Sequence, residues 1–99
     1  MDKVLALLGL CKKAGKLAAG SFAAEKAVKE MKAELVIVAQ DASDNTKKLF
    51  YDKAGYRSIC VAEYGSKEEI GKITGSQERA VVAVLDSGFA GSIRKLLKK

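Results

Sequence analysis

A chain of 99 residues with a formal net charge of +6 makes one domain with a single core and has no room for a separate regulatory module. A composition 48% hydrophobic and 30% charged excludes a disordered chain, and the complete absence of histidine removes the usual neutral-pH base and the commonest metal ligand. The charge is uneven: residues 1–32 balance to +4, residues 33–66 to −1 and residues 67–99 to +3, so both ends are basic and the middle is not.

Residues 2–14 place Val4, Leu7, Leu8 and Cys11 on one face, the spacing of an amphipathic helix. Asp2 lies at its start and Lys12 and Lys13 at its end, as the helix dipole favours, and Gly15 stops it. Lys16-Leu17-Ala18 reads as a short extended piece. Gly20-Ser21 opens a second helix to about Lys32, with Ala24, Ala27, Val28 and Met31 inward. Leu35 to Ala39 is a continuous apolar run, expected of a central strand covered on both faces. Ser43 can cap a third helix from Asp44 to Ala54, with Leu49 and Phe50 inward and Gly55 as its stop. Ser58 to Glu63 is another strand. Ser66 and Glu69 have capping-box spacing for a short helix, Lys67 to Thr74, closed by Gly75. Ala80 to Asp86 is the most apolar strand, and a last helix carries Phe89, Ile93, Leu96 and Leu97 on one face before Lys98 and Lys99. Alternation of this kind predicts an α/β fold, a three-layer α/β/α sandwich over residues 1–99.

Few residues suggest catalysis. Residues 9–16, GLCKKAGK, resemble a phosphate-binding loop but fail it twice: five residues separate Gly9 from Gly15 where four are needed, and Leu17 stands where a magnesium-binding hydroxyl belongs. Cys11 and Cys60 form no CxxC and are expected as small buried hydrophobes. Asp41, Asp44 and Asp52 are scattered acids suited to capping and solvation. No nucleophile–base pair is evident, so no enzyme, cofactor or metal is expected. The apolar run from Val4 to Cys11 is too short to span a bilayer, and the cysteine usage fits a cytoplasmic protein, so no membrane is expected either.

The basic ends favour phosphate-bearing partners, because each neutralised phosphate releases a counterion; the plainer use of the same charge is solubility. Six aromatic residues, three Tyr and three Phe, are too few for a surface built on extensive base stacking. The loop-to-helix junction Ala19-Gly20-Ser21-Phe22-Ala23, with Lys26 one turn in, offers close backbone approach and free helix N–H groups to an anion, although an ordinary helix start has the same appearance.

The ordered pieces KAGKLAAG, LVIVAQDAS with NTKK, SKEEIGKITG and AVVAVLD resemble the ribosomal-protein L-seven-Ae family of kink-turn RNA binders, with DSGFA suggesting its small bacterial YlxQ-like branch. The resemblance covers essentially the whole chain. It implies a four-stranded mixed sheet and non-catalytic binding of a kinked or structured RNA, ribosomal RNA included; the protein is expected to be a monomer. By position it assigns RNA contacts to Lys16, Gly20, Ser21 and Lys26, a supporting acid to Asp41, and the loop before the last strand to Gln77, Glu78, Arg79 and Ala80. Ribosomal members follow the small hydroxyl residue with asparagine and glutamate, which read sheared G·A pairs; here Phe22 and Ala23 stand there, and Ala19 replaces a lysine. Phe22 can stack on a base or pack into the apolar surface of its helix. A protein-interaction adaptor on the same fold, with a degenerate RNA site, is the alternative function.

Overall fold

Four helices begin on a side chain that takes up a free backbone amide. In the computed structural model, which describes residues 2–98, helix α1 (Lys3–Lys13) starts at Asp2, whose Oδ1 accepts from the Leu5 amide at 3.0 Å. Helix α3 (Asp44–Tyr56) starts at Ser43, which accepts from Thr46 at 3.1 Å. Helix α4 (Lys67–Ile73) has the complete capping box, with Ser66 and Glu69 exchanging bonds of 3.0 Å. Helix α5 (Ser87–Leu97) starts at Asp86, which accepts from the Phe89 amide at 2.9 Å. Such caps contribute about 1 kcal/mol each. Helix α2 (Ser21–Lys29) is the exception: it starts at Gly20, with no side-chain cap.

Strands β1 (Leu17–Ala19), β2 (Leu35–Val38), β3 (Cys60–Glu63) and β4 (Val81–Val84) form one mixed sheet in the order β1-β4-β2-β3. β4 runs antiparallel to both neighbours, with Leu17 opposite Val84 and Val38 opposite Val81, while β2 and β3 are parallel. Every residue of β2 and β4 is buried, as continuous Val/Ile/Leu runs require when helices cover both faces. α2 and α3 pack together on one face; α1 packs between α4 and α5 on the other. The three-layer reading of the sequence holds. The core centres on Leu8, Val28, Leu35, Ile37, Phe50, Ile70 and Ile93, all fully buried.

Several local expectations need correction. α2 ends at Lys29, so Met31 does not point inward: it lies beyond the helix at φ 59° and is exposed. The helical period continues through Met31, but the chain must leave the helix there to reach β2, and no glycine marks the exit. Gly55 does not stop α3, which continues to Tyr56; Ser58, at φ 57°, makes the turn instead, and the strand begins at Cys60. Leu49 is 36% exposed and only partly inward, while Phe50 and Ala54 form the buried stripe. β4 stops at Val84, leaving Asp86 free to cap α5. Cys60 is exposed because β3 is an edge strand, whereas Cys11 is buried and donates to the Lys16 carbonyl at 3.0 Å. Burial, and secondarily Asp86, push the Cys11 thiol up to about 11. Lys99, placed by sequence at the end of the last helix, lies outside the described residues.

Candidate functional site

β1 delivers Gly20 to one end of the sheet, where its amide donates to the Val81 carbonyl at 2.9 Å. Its backbone, at φ 96° and ψ 159°, lies in a region open essentially to glycine alone. The requirement is also spatial. A Cβ on Gly20 would stand 2.6 Å from Nη1 of Arg79, which donates to the Ala19 carbonyl at 3.1 Å. The space that sequence reasoning reserved for an approaching RNA backbone is therefore taken up by an arginine of the same chain. Nε of Arg79 is buried and without a partner.

Arg79 also holds its own loop. Its amide donates to the Lys67 carbonyl at 3.0 Å, and the Lys67 amide donates to Asp41 Oδ1 at 2.8 Å. Asp41, beyond the end of β2, thus acts on the start of α4, and the chain Asp41–Lys67–Arg79–Ala19 ties two loops and the start of α4 to the start of α2. Residues 74–80 lie against α4. The Thr74 hydroxyl donates to the Ile70 carbonyl at 2.8 Å and approaches the Gly71 carbonyl at 3.1 Å, and a Cβ on Gly71 would stand 2.6 Å from the Gln77 carbonyl oxygen. Gln77 and Glu78 are exposed beside Glu68 and Ser76. Ala80 is half-buried, and its carbonyl accepts from the Ala39 amide at 2.7 Å.

On α2, Ser21 and Lys26 are exposed, Ala23 is half-buried and Phe22 is 85% exposed. Phe22 does not pack into the apolar surface of its helix; it rims a shallow groove with Glu25, Lys26, Lys29 and Glu30. Glu25 takes Lys29 at 3.4 Å and Lys53 at 3.7 Å, and Lys26 has no carboxylate partner among the described residues. Cations near the amides of a helix start make a surface suited to phosphate.

Lys16 is not brought to this cluster. Its carbonyl accepts from the Leu85 amide at 2.8 Å, at the Val84 end of the sheet. Four residue steps along β1 separate it from Gly20, about 13 Å of extended chain. Neighbours in sequence across one short strand thus stand at opposite ends of the sheet. The loop linkage through Lys67 is not legible in the sequence either, since it runs through backbone groups that no side-chain pattern marks.

The family model described as the ribosomal protein L7Ae/L30e/S12e/Gadd45 family matches residues 2–93. The chain belongs to that family. Relatives include "RNA-binding protein YlxQ" of Bacillus subtilis (strain 168), 37% identical over 91 residues and covering 92% of this chain and 91% of that one. "RNA-binding protein YlxQ" of Enterococcus faecium is 38% identical over 97 residues, covering 98% and 93%. A solved structure described as a protein with unknown function from Bacillus halodurans C superposes with a TM-score of 0.94 at 36% identity over the whole of both chains. The Giardia lamblia 15.5kD RNA binding protein shares the fold, with a TM-score of 0.77 at 20% identity over 99% of this chain and 88% of that one. Among the described residues, no helix of this family member is long and apolar enough to cross a membrane.

Proposed function

We propose that this family member is a non-catalytic RNA-binding protein of the cytoplasm that takes a kinked, kink-turn-like RNA, ribosomal RNA being one source of such a bend. The observation that carries the reading is the Arg79–Ala19 bond, which joins the start of α2 to the loop before β4 across 60 residues. Two surfaces held rigidly at one end suit a distorted, opened groove, since the regular A-form major groove is too narrow for side chains. The α2 amides, Ser21 and Lys26 face the phosphates, and Gln77, Glu78 and Ala80 face the protruding nucleotide. Asp41 and Arg79 hold the two parts in register. Lys16 is left out by its distance. The names of the relatives support an RNA partner.

With Phe22 and Ala23 at the base-reading positions, the reading gives this protein a phosphate grip and one stacking side chain in place of hydrogen bonds to G·A pairs. Titration against a kink-turn RNA and a plain duplex at two salt concentrations tests it. Wild type should prefer the kinked RNA, and Lys26→Ala should weaken binding to both and lower the salt slope by about one unit. Phe22→Asn with Ala23→Glu should add discrimination of about 1–3 kcal/mol, the size of one base contact. Equal binding of both RNAs by wild type and by the double variant removes the kink-turn reading. The 85% exposure of Phe22 favours one other reading, a protein-interaction adaptor. That reading gains if Phe22→Ala abolishes a protein contact and leaves RNA titrations flat.

A further inference from the structure

The uncompensated charge of the molecule is not spread evenly over its two helical layers. On the α2–α3 layer, Lys29, Lys47, Lys48 and Lys53 each have a carboxylate at 3.1–3.7 Å, while Lys26 and Arg57 have none among the described residues. On the opposite layer, Lys72 reaches Glu68 at 4.0 Å, whereas Lys12, Lys13, Arg94, Lys95 and Lys98 have no ion pair among the described residues. The last three share one surface. Ile93 is the fully buried contact of α5, and Arg94, Lys95 and Lys98 are exposed. At 3.6 residues per turn they lie within an arc of about 100° opposite Ile93.

Gly91 lies in the middle of that arc. A Cβ added there would meet nothing within 4 Å, so packing does not require a glycine. Glycine is unfavourable in a helix interior relative to alanine. Its presence leaves the cationic face flat beside the three side chains, where another backbone can approach closely.

The direction of α5 fixes which end these cations occupy. The helix starts just after Leu85, whose amide donates to the Lys16 carbonyl, and it packs back over β4 and against α1. Eleven helical residues cover about 16 Å, and the four residues of β4 about 13 Å. The last turns of α5 therefore reach the level of Val81, the residue that holds Gly20. Lys12 and Lys13, at the end of α1, and Lys32, beyond α2, lie at the other end of the sheet.

We propose that the solvent face of α5, through Arg94, Lys95, Lys98 and the bare backbone of Gly91, is a second RNA contact that tracks the phosphates of the stem leaving the bend. The proposal rests on the RNA reading above and extends that contact to the other helical layer at the same end of the molecule. Cations without carboxylate partners are free to neutralise phosphates, and each phosphate neutralised adds about 0.9 to the salt slope on a duplex.

The test uses two RNAs with the same bend, one with minimal stems and one with a stem longer by a helical turn. Three proteins are compared: wild type, Arg94→Gln/Lys95→Gln/Lys98→Gln, and the charge-matched Lys12→Gln/Lys13→Gln/Lys32→Gln from the far end. Wild type should bind the long RNA more tightly, with a slope steeper by about two to three units. The α5 variant should lose that increment and keep its affinity for the short RNA within about twofold, while the far-end variant keeps the increment. Gly91→Gln should reduce long-RNA affinity without lowering the unfolding midpoint. An α5 variant with the same long-RNA affinity and slope as wild type overturns the proposal, as does equal loss in both charge variants. Wild type that binds neither RNA removes the RNA reading itself, a result distinct from either of these.

Discussion

Replacing Gly20 by alanine tests the local geometry of the site directly. At φ 96° and ψ 159°, an alanine carries backbone strain of about 1–3 kcal/mol. Its Cβ would stand 2.6 Å from Arg79 Nη1, so the flexible guanidinium must swing away and give up its 3.1 Å bond to Ala19. A hydrogen bond from a charged group contributes about 1.5–3 kcal/mol, and the half-exposed position of Arg79 puts this one at the lower end. Together the two effects come to about 2.5–4.5 kcal/mol, a large part of the 5–15 kcal/mol typical of a domain. The assay is urea unfolding of wild type, Gly20→Ala, Arg79→Ala and the double variant. Because Arg79→Ala has already lost the bond, the double variant should lose less than the sum of the singles, by about 1.5 kcal/mol. Additivity within about 0.5 kcal/mol would refute displacement of the guanidinium and leave strain as the whole effect. A Gly20→Ala protein as stable as wild type would refute both.

Gly71→Ala should press the Gln77 carbonyl away from α4, so hydrogen exchange across residues 74–80 should speed up while exchange in β2 stays slow. In the native protein, alkylation followed by mass spectrometry should label Cys60 and spare Cys11, whose thiol is buried and raised to about 11. Between the ordinary thiol value of 9.0 and about 11, the unfolded chain ionises Cys11 and the folded one does not, so stability should fall as pH rises through that window, and less in Cys11→Ala. The Tyr64 hydroxyl, and then the Leu5 amide, hold the Asp2 carboxyl below its ordinary value of 3.8. Its contribution to stability is then complete above that value and lost as pH falls through the lower folded one, so acid titration of stability should be flatter in Asp2→Asn.

The elements governed by local rules were legible in the sequence. The apolar runs of β2 and β4, the Ser43 cap and the Ser66–Glu69 box each follow from a few adjacent residues, and together they fix the layered architecture. Less visible were the features set by position in the sheet. Cys60 looks like a core residue in SICVAE and becomes a surface one because β3 has a neighbour on one side only. Met31 and Ser58 make left-handed exits at φ 59° and 57° with no glycine to announce them. At the candidate site, Gly20, Ser21, Phe22 and Lys26 stand together because they are near neighbours in the chain. The role of Arg79 depends on a contact 60 residues away, and the separation of Lys16 from Gly20 depends on the direction of a three-residue strand.

Pairing of the first strand with the last has a consequence for how the protein comes into being. The stretch that carries Gly20 leaves the ribosome well before β4, its one sheet neighbour among the described residues, has been synthesised. Until then β1 has no ladder to join, β2 lacks its antiparallel neighbour, and Ala19 and Arg79 cannot meet. Closing a loop of this length is entropically unfavourable before the contacts that reward it exist, which places the event late in folding. Binding competence should therefore arise in one step with completion of the sheet. A nascent or truncated chain that ends before Val81 should be open to proteases and unable to compete for the ligand of the finished protein.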